Sequence, residues 1–220
     1  VVQGNGFLYH EGVFSNVGTP SLPPIRLPRT MPQGINNSGL IVGNYQDSNG
    51  EHAFIDISGY QLTFDVPGAL STSAHGINDF GQVAGTYRDA DGHHGYVYFW
   101  GTFRRLNYPG SQETMANGIN DFGTTVGSYK DSNGALHGFV YRAGAFAPFD
   151  VPVGKETVLT GINNRGQIVG YYDLINGTTF DDGTGIQNSV FRNDGDCRFV
   201  DVRAPAIASR QEETGASISF

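Results

Sequence analysis

Short apolar stretches alternate with turn-forming residues along most of the chain. In the segment 72–110, stretches at 72–78, 82–87, 94–99 and 102–108 are separated by Asp79-Phe80-Gly81, Asp89-Ala90-Asp91-Gly92 and Trp100-Gly101. Aspartate and glycine at such places favour tight turns between antiparallel strands. The stretch 94–99 is apolar at consecutive positions, which is typical of a strand buried on both faces. The pattern predicts four short antiparallel strands and no helix.

The same unit recurs along the chain. A Gly-Ile-Asn sequence begins at Gly34, Gly76, Gly118 and Gly161, at spacings of 42, 42 and 43 residues. A second glycine follows nine residues later in each copy. Four strands at this period match one blade of a β-propeller, whereas leucine-rich, ankyrin and helical repeats require helices or other lengths. We therefore expect an all-β fold that packs copies of one four-stranded sheet.

The repeats divide nearly the whole chain into blades. Complete blades are predicted at residues 30–68, 72–110, 114–152 and 157–203, and a fifth would combine residues 214–220 with residues 1–18. The expected fold is a single domain over 1–220, a five-bladed β-propeller with four antiparallel strands per blade. Pairing of the N- and C-terminal strands would close the ring, which protects sheet edges from aggregation.

The repeat resembles a known family. The pattern Ile-Asn-Asn/Asp-x-Gly-x-x-Val-Gly-x-Tyr-x-Asp, followed by His-Ala/Gly-Phe, is similar to the HAF family of probable extracellular repeats found in many bacterial proteins. The second motif stands here as His52-Ala53-Phe54, His94-Gly95-Tyr96 and His137-Gly138-Phe139. The resemblance covers nearly the whole chain and implies an extracellular or periplasmic location. It implies no particular activity.

Composition excludes some classes of partner. The net charge is −8 and only 15% of the 220 residues are charged, so no basic patch for nucleic acid is expected. No apolar run reaches the ~18 residues that a membrane helix needs. The single cysteine allows no internal disulfide or zinc-type spacing. No signal peptide is recognisable, which favours a mature form or a cytoplasmic protein. We expect a monomer.

Two repeated polar motifs favour structural roles. His52, His94 and His137 recur at one place in each repeat, with Asn188 and Asn5 aligned to them. Ring symmetry would spread them around the axis, so bonds to the preceding turn explain them better than a metal site. Asp47-Ser48-Asn49-Gly50 and its two copies resemble half a calcium loop but lack the bidentate glutamate. We expect hairpin turns and no cofactor, with calcium as the alternative.

Acidic residues precede several of the predicted innermost strands. Glu113, Glu156 and Glu213 each stand before a threonine, and Arg29 and Ser71 occupy this place in the other repeats. They would lie near the channel mouth, on the face that bears the loops after the second strands. Such carboxylates could bind a cation or a sugar, or act as acid and base on a glycan. A solvated rim of charged loops is the simpler alternative.

A second set of candidates breaks the symmetry of the repeat. The residue before Gly-Ile-Asn differs between copies while its neighbours are constant: Gln33, His75, Asn117 and Thr160. His75 is the one member of this set whose ordinary pKa lies near neutrality. These positions could face a ligand or simply line the channel.

Three long connections also depart from the repeat, at 19–31, 174–183 and 204–213. Insertions in repeat proteins often map to the binding face, so we expect them on the same side as the glutamates. The segment 174–183 adds Asp181 and Asp182 to the candidate ligand-binding residues, alongside Arg29, Gln33, His75, Asn117 and Thr160.

These features lead to three hypotheses about function. The first is a secreted or envelope binding module for a carbohydrate or small polar ligand, held at the loop-rich face near the channel. The second is a glycoside hydrolase or polysaccharide lyase that uses Glu113, Glu156, Glu213 and His75, although fold analogy alone is a weak argument for it. The third is a protein-interaction scaffold, which predicts an exposed apolar patch.

Overall fold

The computed structural model describes residues 6–17, 29–152, 154–174, 186–193 and 199–201. Within these ranges the regular elements are all strands, and every pairing is antiparallel, which confirms the predicted all-β class. None of the described ranges contains a helix with the length and apolarity that crossing a bilayer requires. The strands are β1 (Gly6–His10), β2 (Val13–Val17), β3 (Arg29–Ile35), β4 (Ile41–Gln46), β5 (Glu51–Ile57), β6 (Tyr60–Phe64), β7 (Ser71–Ile77), β8 (Val83–Asp89), β9 (Gly92–Phe99), β10 (Thr102–Leu106), β11 (Glu113–Ile119), β12 (Thr125–Lys130), β13 (Leu136–Arg142), β14 (Ala145–Phe149), β15 (Gly154–Ile162), β16 (Ile168–Leu174), β17 (Ile186–Asn193) and β18 (Phe199–Asp201).

Each internal repeat forms one four-stranded sheet of consecutive strands. We name them sheet 1 (β3–β6), sheet 2 (β7–β10), sheet 3 (β11–β14) and sheet 4 (β15–β18). In the described part of the chain, β1 and β2 form a separate two-stranded sheet. The segments 1–5 and 202–220, which the prediction uses to complete a fifth blade, lie outside the described residues. The closed five-bladed ring therefore stays a prediction.

The core lies between the sheets rather than inside any one of them. Phe54, Tyr96 and Phe139 of the third strands are completely buried, as the apolar run in the sequence predicts. Buried clusters then join neighbouring sheets in chain order. One unites residues of sheets 1 and 2 (Val42, Ala53, Ala74, Ile77, Val83), another those of sheets 2 and 3 (Ala84, Leu106, Ala116, Ile119, Phe139, Tyr141), and a third those of sheets 3 and 4 (Val126, Phe149, Leu159, Ile168).

The glycine of Gly-Ile-Asn marks the closest approach between sheets. A Cβ atom at Gly76 would lie 3.2 Å from the carbonyl oxygen of Asn117 and from the Cα of Gly118 in the next sheet. At Gly118, the corresponding Cβ would lie 2.9 Å from the Cα of Gly161. Any larger residue would push the first strands apart, which explains the repetition of glycine at this position.

The asparagine of the motif holds both its own turn and the next sheet. Asn78 Oδ1 accepts hydrogen bonds from the backbone N–H groups of Phe80 (3.1 Å) and Gln82 (2.9 Å). Its Nδ2 donates to the carbonyl oxygen of Asn120 at 3.0 Å. Equivalent inter-sheet bonds run from Asn36 to Asn78 and from Asn120 to Asn163. We call this series the asparagine ladder, and it ties sheets 1 to 4 together in order.

Candidate functional site

The first strands of sheets 2 to 4 begin, and their second strands end, at the same edge of the molecule. Glu113 pairs with Lys130 at the end of β12, and Glu156 pairs with Asp173 near the end of β16. We call this edge the upper edge. The opposite edge, which bears the turns that begin at the asparagine of Gly-Ile-Asn, is called the lower edge. Glu113 and Glu156 thus lie at the same end of their sheets as the loops after the second strands, and their position near a channel mouth stays a prediction.

Glu113 is held by basic side chains from two sheets. Its Oε1 lies 3.2 Å from Nδ1 of His93 in sheet 2, and its Oε2 lies 4.0 Å from Nζ of Lys130 in sheet 3. In the described residues, no hydrogen bond or ion pair joins Glu113 to Glu156. The side chain of Arg29 and the residues Asp181, Asp182 and Glu213 lie outside what the structure describes.

The four symmetry-breaking residues all stand at β-bulges. The pairing of first and second strands shifts between Pro32 and Gly34, and at the equivalent place in every sheet. A bulge leaves its extra residue outside the regular ladder and re-aims its side chain. Such residues are free to vary without loss of a strand partner. The extra residues are Gln33, His75, Asn117 and Thr160.

Two of the four bulge residues bond to the neighbouring sheet. His75 Nδ1 lies 3.0 Å from the carbonyl oxygen of Ala116, and Asn117 Nδ2 donates to the carbonyl oxygen of Leu159 at 2.7 Å. Gln33 and Thr160 are exposed, and Thr160 Oγ1 bonds within its own sheet at 3.3 Å. The set therefore combines two structural bonds with two side chains that are open to solvent.

Burial keeps His75 neutral. Desolvation lowers its pKa below the ordinary value and outweighs the hydrogen bond to Ala116, the negative charge of Glu51 and the side chain of Asn117, which act in the opposite direction. Because Ala116 supplies a carbonyl oxygen, the neutral ring must carry its proton on Nδ1. His75 thus presents Nε2 as a hydrogen-bond acceptor rather than a positive charge.

Glu51 is a residue of the upper edge that sequence reasoning missed. Its Oε1 accepts a hydrogen bond from Asn44 Nδ2 at 2.5 Å and a short one from Ser73 Oγ in the next sheet. The residue of sheet 2 that is equivalent to Glu51 is His93, which contacts Glu113. The signal was available, because this position directly precedes the repeated histidine and is acidic in one copy and basic in another.

Buried hydroxyl groups lie close to this cluster. Thr86 of sheet 2 and Ser128 of sheet 3 are equivalent to Asn44 of sheet 1. They pair with Ser73 and Met115 of the first strands. The hydroxyl oxygens of both Thr86 and Ser128 are buried without a hydrogen-bond partner among the described residues. Buried polar groups are nearly always paired, so these hydroxyls require bound water or another polar molecule.

The repeated histidines have the structural role predicted for them. His52 Nε2 lies 3.2 Å from Asp47 of the preceding turn, and its Nδ1 lies 2.7 Å from Asp65 after the fourth strand. His94 and His137 make the equivalent pairs of contacts. Burial acts to lower the pKa of His52, but its bonds with Asp65 and Asp47 raise the pKa overall. His52 pairs with Tyr45 of the second strand. In sheet 4 the equivalent tyrosine, Tyr172, pairs with Gln187 and not with the predicted Asn188.

The Asp-x-Asn-Gly segments are hairpin turns. Asp47 Oδ1 accepts from the backbone N–H groups of Asn49 at 2.7 Å and Gly50 at 3.2 Å, and Asp131 Oδ1 accepts from those of Asn133 at 2.8 Å and Ala135 at 2.9 Å. These bonds lower the pKa of Asp131. Across the described ranges, no three His, Cys, Asp or Glu side chains are grouped so as to hold a metal ion.

Comparison with known proteins does not assign the chain to a family. No protein-family model matches the sequence. No curated protein matches it significantly. The resemblance to the HAF repeats therefore stays a prediction.

Proposed function

We propose that the chain is a five-bladed β-propeller that binds a carbohydrate or small polar ligand along the first strands of its blades, near the central channel. The observation that carries the proposal is the set of bulge residues on the first strands. Gln33, His75, Asn117 and Thr160 occupy equivalent places and offer different uncharged polar groups. Ligand sites combine a scaffold with a few convergent polar groups, and a varied set on constant neighbours fits that description.

The chemistry around these residues supports an uncharged polar ligand. Neutral His75 and the amide of Asn117 provide hydrogen-bonding atoms without net charge. The acidic and basic side chains nearby are already engaged with each other, as in the contacts of Glu113 with His93 and Lys130. A sugar, which is neutral and rich in hydroxyl groups, matches such a surface better than a strongly charged ligand.

Packing in chain order supports the propeller. Sheets 1, 2 and 3 each contact the next sheet through a separate buried cluster, and β1 lies against β3, where Gly6 faces Pro32. We propose that β1 and β2 are the third and fourth strands of a fifth blade that closes the ring. Small-angle scattering tests this: a closed monomer of this length has an expected radius of gyration of about 17 Å. A clearly larger value would favour an open arc or an oligomer.

The binding proposal is tested with a panel of bacterial and plant polysaccharides, with and without calcium. Retention of the protein on the polymer and any shortened products, detected by mass spectrometry, are measured together. Retention without cleavage is the expected result. New oligosaccharides would instead support the glycan-active enzyme, to be tested with Glu113→Gln and Glu156→Gln. If the protein is neither retained on nor cleaves any of the polymers, the carbohydrate proposal is contradicted.

Variants locate the site. Gln33→Ala and Thr160→Ala change exposed side chains, and each should weaken retention roughly fivefold, the worth of one hydrogen bond of about 1 kcal/mol. Tyr60→Ala is the matched control, because Tyr60 is 63% exposed and lies in β6, the strand of sheet 1 farthest from the first strand. Equal effects of all three variants would contradict the proposed location.

The cellular setting is proposed from the HAF resemblance. We infer a bacterial protein of the cell envelope or the extracellular space. Fractionation of the producing bacterium tests this, with recovery in the periplasm or the medium expected and recovery in the cytoplasm contradicting it.

A further inference from the structure

A cavity of about 310 Å³ opens between sheets 2 and 3 at the lower edge. Val97 and Phe99 of β9 and Arg104 of β10 line one wall, while Ile119 and Tyr141 of sheet 3 line the other. Its volume is at the lower end of the range for small-molecule sites. None of the four bulge residues lines the cavity, so the inference does not depend on the function proposed above.

The junction that holds the cavity differs in one aromatic contact from the junction between sheets 1 and 2. Between sheets 1 and 2, Phe64 stacks on Tyr98 with ring centres 4.4 Å apart and planes at 12°. Leu106 takes the register position of Phe64 in sheet 2, and Tyr141 takes that of Tyr98 in sheet 3. Leucine has no ring to stack on Tyr141. Among the described residues, the aromatic ring that contacts Tyr141 is Phe146 of its own sheet, so sheet 2 provides no ring at this place.

The same junction gains polar groups as it loses apolar volume. Arg104 stands where sheet 1 has Leu62, and Gln82 stands where sheet 1 has Leu40. The guanidinium carbon of Arg104 lies 5.2 Å from the ring centre of Tyr141. Two exchanges of leucine for a hydrogen-bond donor thus coincide with the cavity.

Both donors lack an acidic partner. Arg104 forms no ion pair with any carboxylate in the described ranges, whereas its neighbour Arg105 contacts Asp89 at 3.5 Å. Gln82 Oε1 accepts from Asn78 at 2.7 Å, and no described residue accepts from its Nε2. None of the described residues that line the cavity is acidic. An anionic group placed here would meet a guanidinium and an amide donor without repulsion.

We propose that this cavity binds a small monocarboxylate with a single-ring aromatic or short aliphatic body. The apolar body would pack against Val97, Ile119 and the ring of Tyr141, replacing the stacking partner that Phe64 supplies at the neighbouring junction. The carboxylate would face Arg104 and Gln82 at the mouth. Apolar walls with a few placed polar groups are the usual composition of such a site.

The test uses phenylacetate and 4-phenylbutyrate as probes, with phenylacetamide as the neutral analogue. Binding to the full chain is followed by two-dimensional NMR of labelled methyl and aromatic groups. Saturable shifts are expected at Val97, Ile119 and Tyr141. The amide should bind roughly tenfold more weakly than phenylacetate, because it lacks the charge-assisted bond.

Arg104→Gln removes the charge of an exposed side chain and leaves a shorter amide donor in its place. It should weaken binding of phenylacetate roughly tenfold and leave binding of the amide nearly unchanged. Arg105→Gln is the matched control on the same strand and should change neither affinity, because Arg105 lies over the ring of Tyr87 instead. Gln82→Leu restores the residue of sheet 1 and should also weaken binding.

Two results would overturn the proposal. One is the absence of saturable shifts at these residues with both carboxylates at millimolar concentration. The other is an equal loss of phenylacetate affinity in the Arg104→Gln and Arg105→Gln variants, which would indicate a general charge effect. Melting curves of each variant without ligand show whether it is folded before its affinity is interpreted.

Discussion

The asparagine ladder allows a test in which a single atom changes. Asn120→Asp keeps Oδ1, which accepts from the backbone N–H groups of Phe122 and Thr124, both at 3.1 Å. It replaces Nδ2, which donates to the carbonyl oxygen of Asn163 at 3.1 Å, by an oxygen. The turn keeps its cap, and the inter-sheet bond becomes a repulsion between two acceptors.

The expected loss follows from the burial of the side chain. Asn120 is 5% exposed, so water cannot replace the lost donor. Losing the bond costs about 1 kcal/mol, and leaving the carbonyl of Asn163 facing a carboxylate costs about 1–2 kcal/mol more. For a chain of this size, the resulting 2–3 kcal/mol corresponds to a decrease in melting temperature of roughly 5–10 °C.

Asn163→Asp is the matched control within the same motif. Asn163 caps its own turn in the same way, accepting from Arg165 and Gln167 at 3.0 Å. Its Nδ2 donates to the side chain of Gln167 at 2.8 Å, and the residue is exposed. This variant should lose less than about 1 kcal/mol.

Urea unfolding followed by circular dichroism at pH 7 measures both variants, and an unchanged slope confirms that the midpoints report stability. The deficit of Asn120→Asp should shrink as the pH falls towards ~4, the ordinary pKa of aspartate, because a protonated carboxyl can again donate to Asn163. Equal losses for the two variants, or a deficit independent of pH, would refute the reasoning.

Three further predictions concern packing and titration. Gly127→Ala places a methyl group against the backbone of the opposing first strand, so the free energy of unfolding in urea should fall by about 2–3 kcal/mol. Gly134→Ala, at φ 88° in an open turn, should lower it by about 1 kcal/mol. A larger loss for Gly134→Ala than for Gly127→Ala would contradict the packing argument. Burial opposes protonation of His137, but its bonds with Asp150 and the turn raise its pKa overall, so the stability it contributes is complete below pH ~6.5 and lost as the pH rises through the folded pKa. His137→Asn should remove that dependence, and NMR titration of the ring should give a value above that of an unfolded control. His75 has a lowered pKa, so stability should fall as the pH drops below ~6.5, and a variant His75→Asn that retains this fall would show that another group causes it.

Local pattern was enough to predict the strands and their turns. Asp47 and Asp131 close hairpins as expected, and the bonds of His52 follow from its position next to such a turn. These features depend on residues close in sequence, whose geometry is fixed by hydrogen bonding within one sheet.

Contacts between sheets could not be predicted in the same way. The link from Glu51 to Ser73 and the missing ring at Leu106 depend on which side chains meet across a junction. A repeat gives the spacing of equivalent positions but not the distance or angle between successive sheets. The bulge at His75 could not be predicted either. Every copy of the repeat has a bulge at this place, so the spacing between copies does not reveal it.

The asparagine ladder also bears on how such a chain can grow. The two middle copies of the motif, at Asn78 and Asn120, each carry both halves of the same bond, a side-chain donor for the copy after it and a backbone acceptor for the copy before it. The contact is head-to-tail, so duplicating one repeat creates a complete new junction without a new complementary surface. Gene duplication can thus lengthen the array one unit at a time, and selection for binding needs to act only on positions outside the ladder.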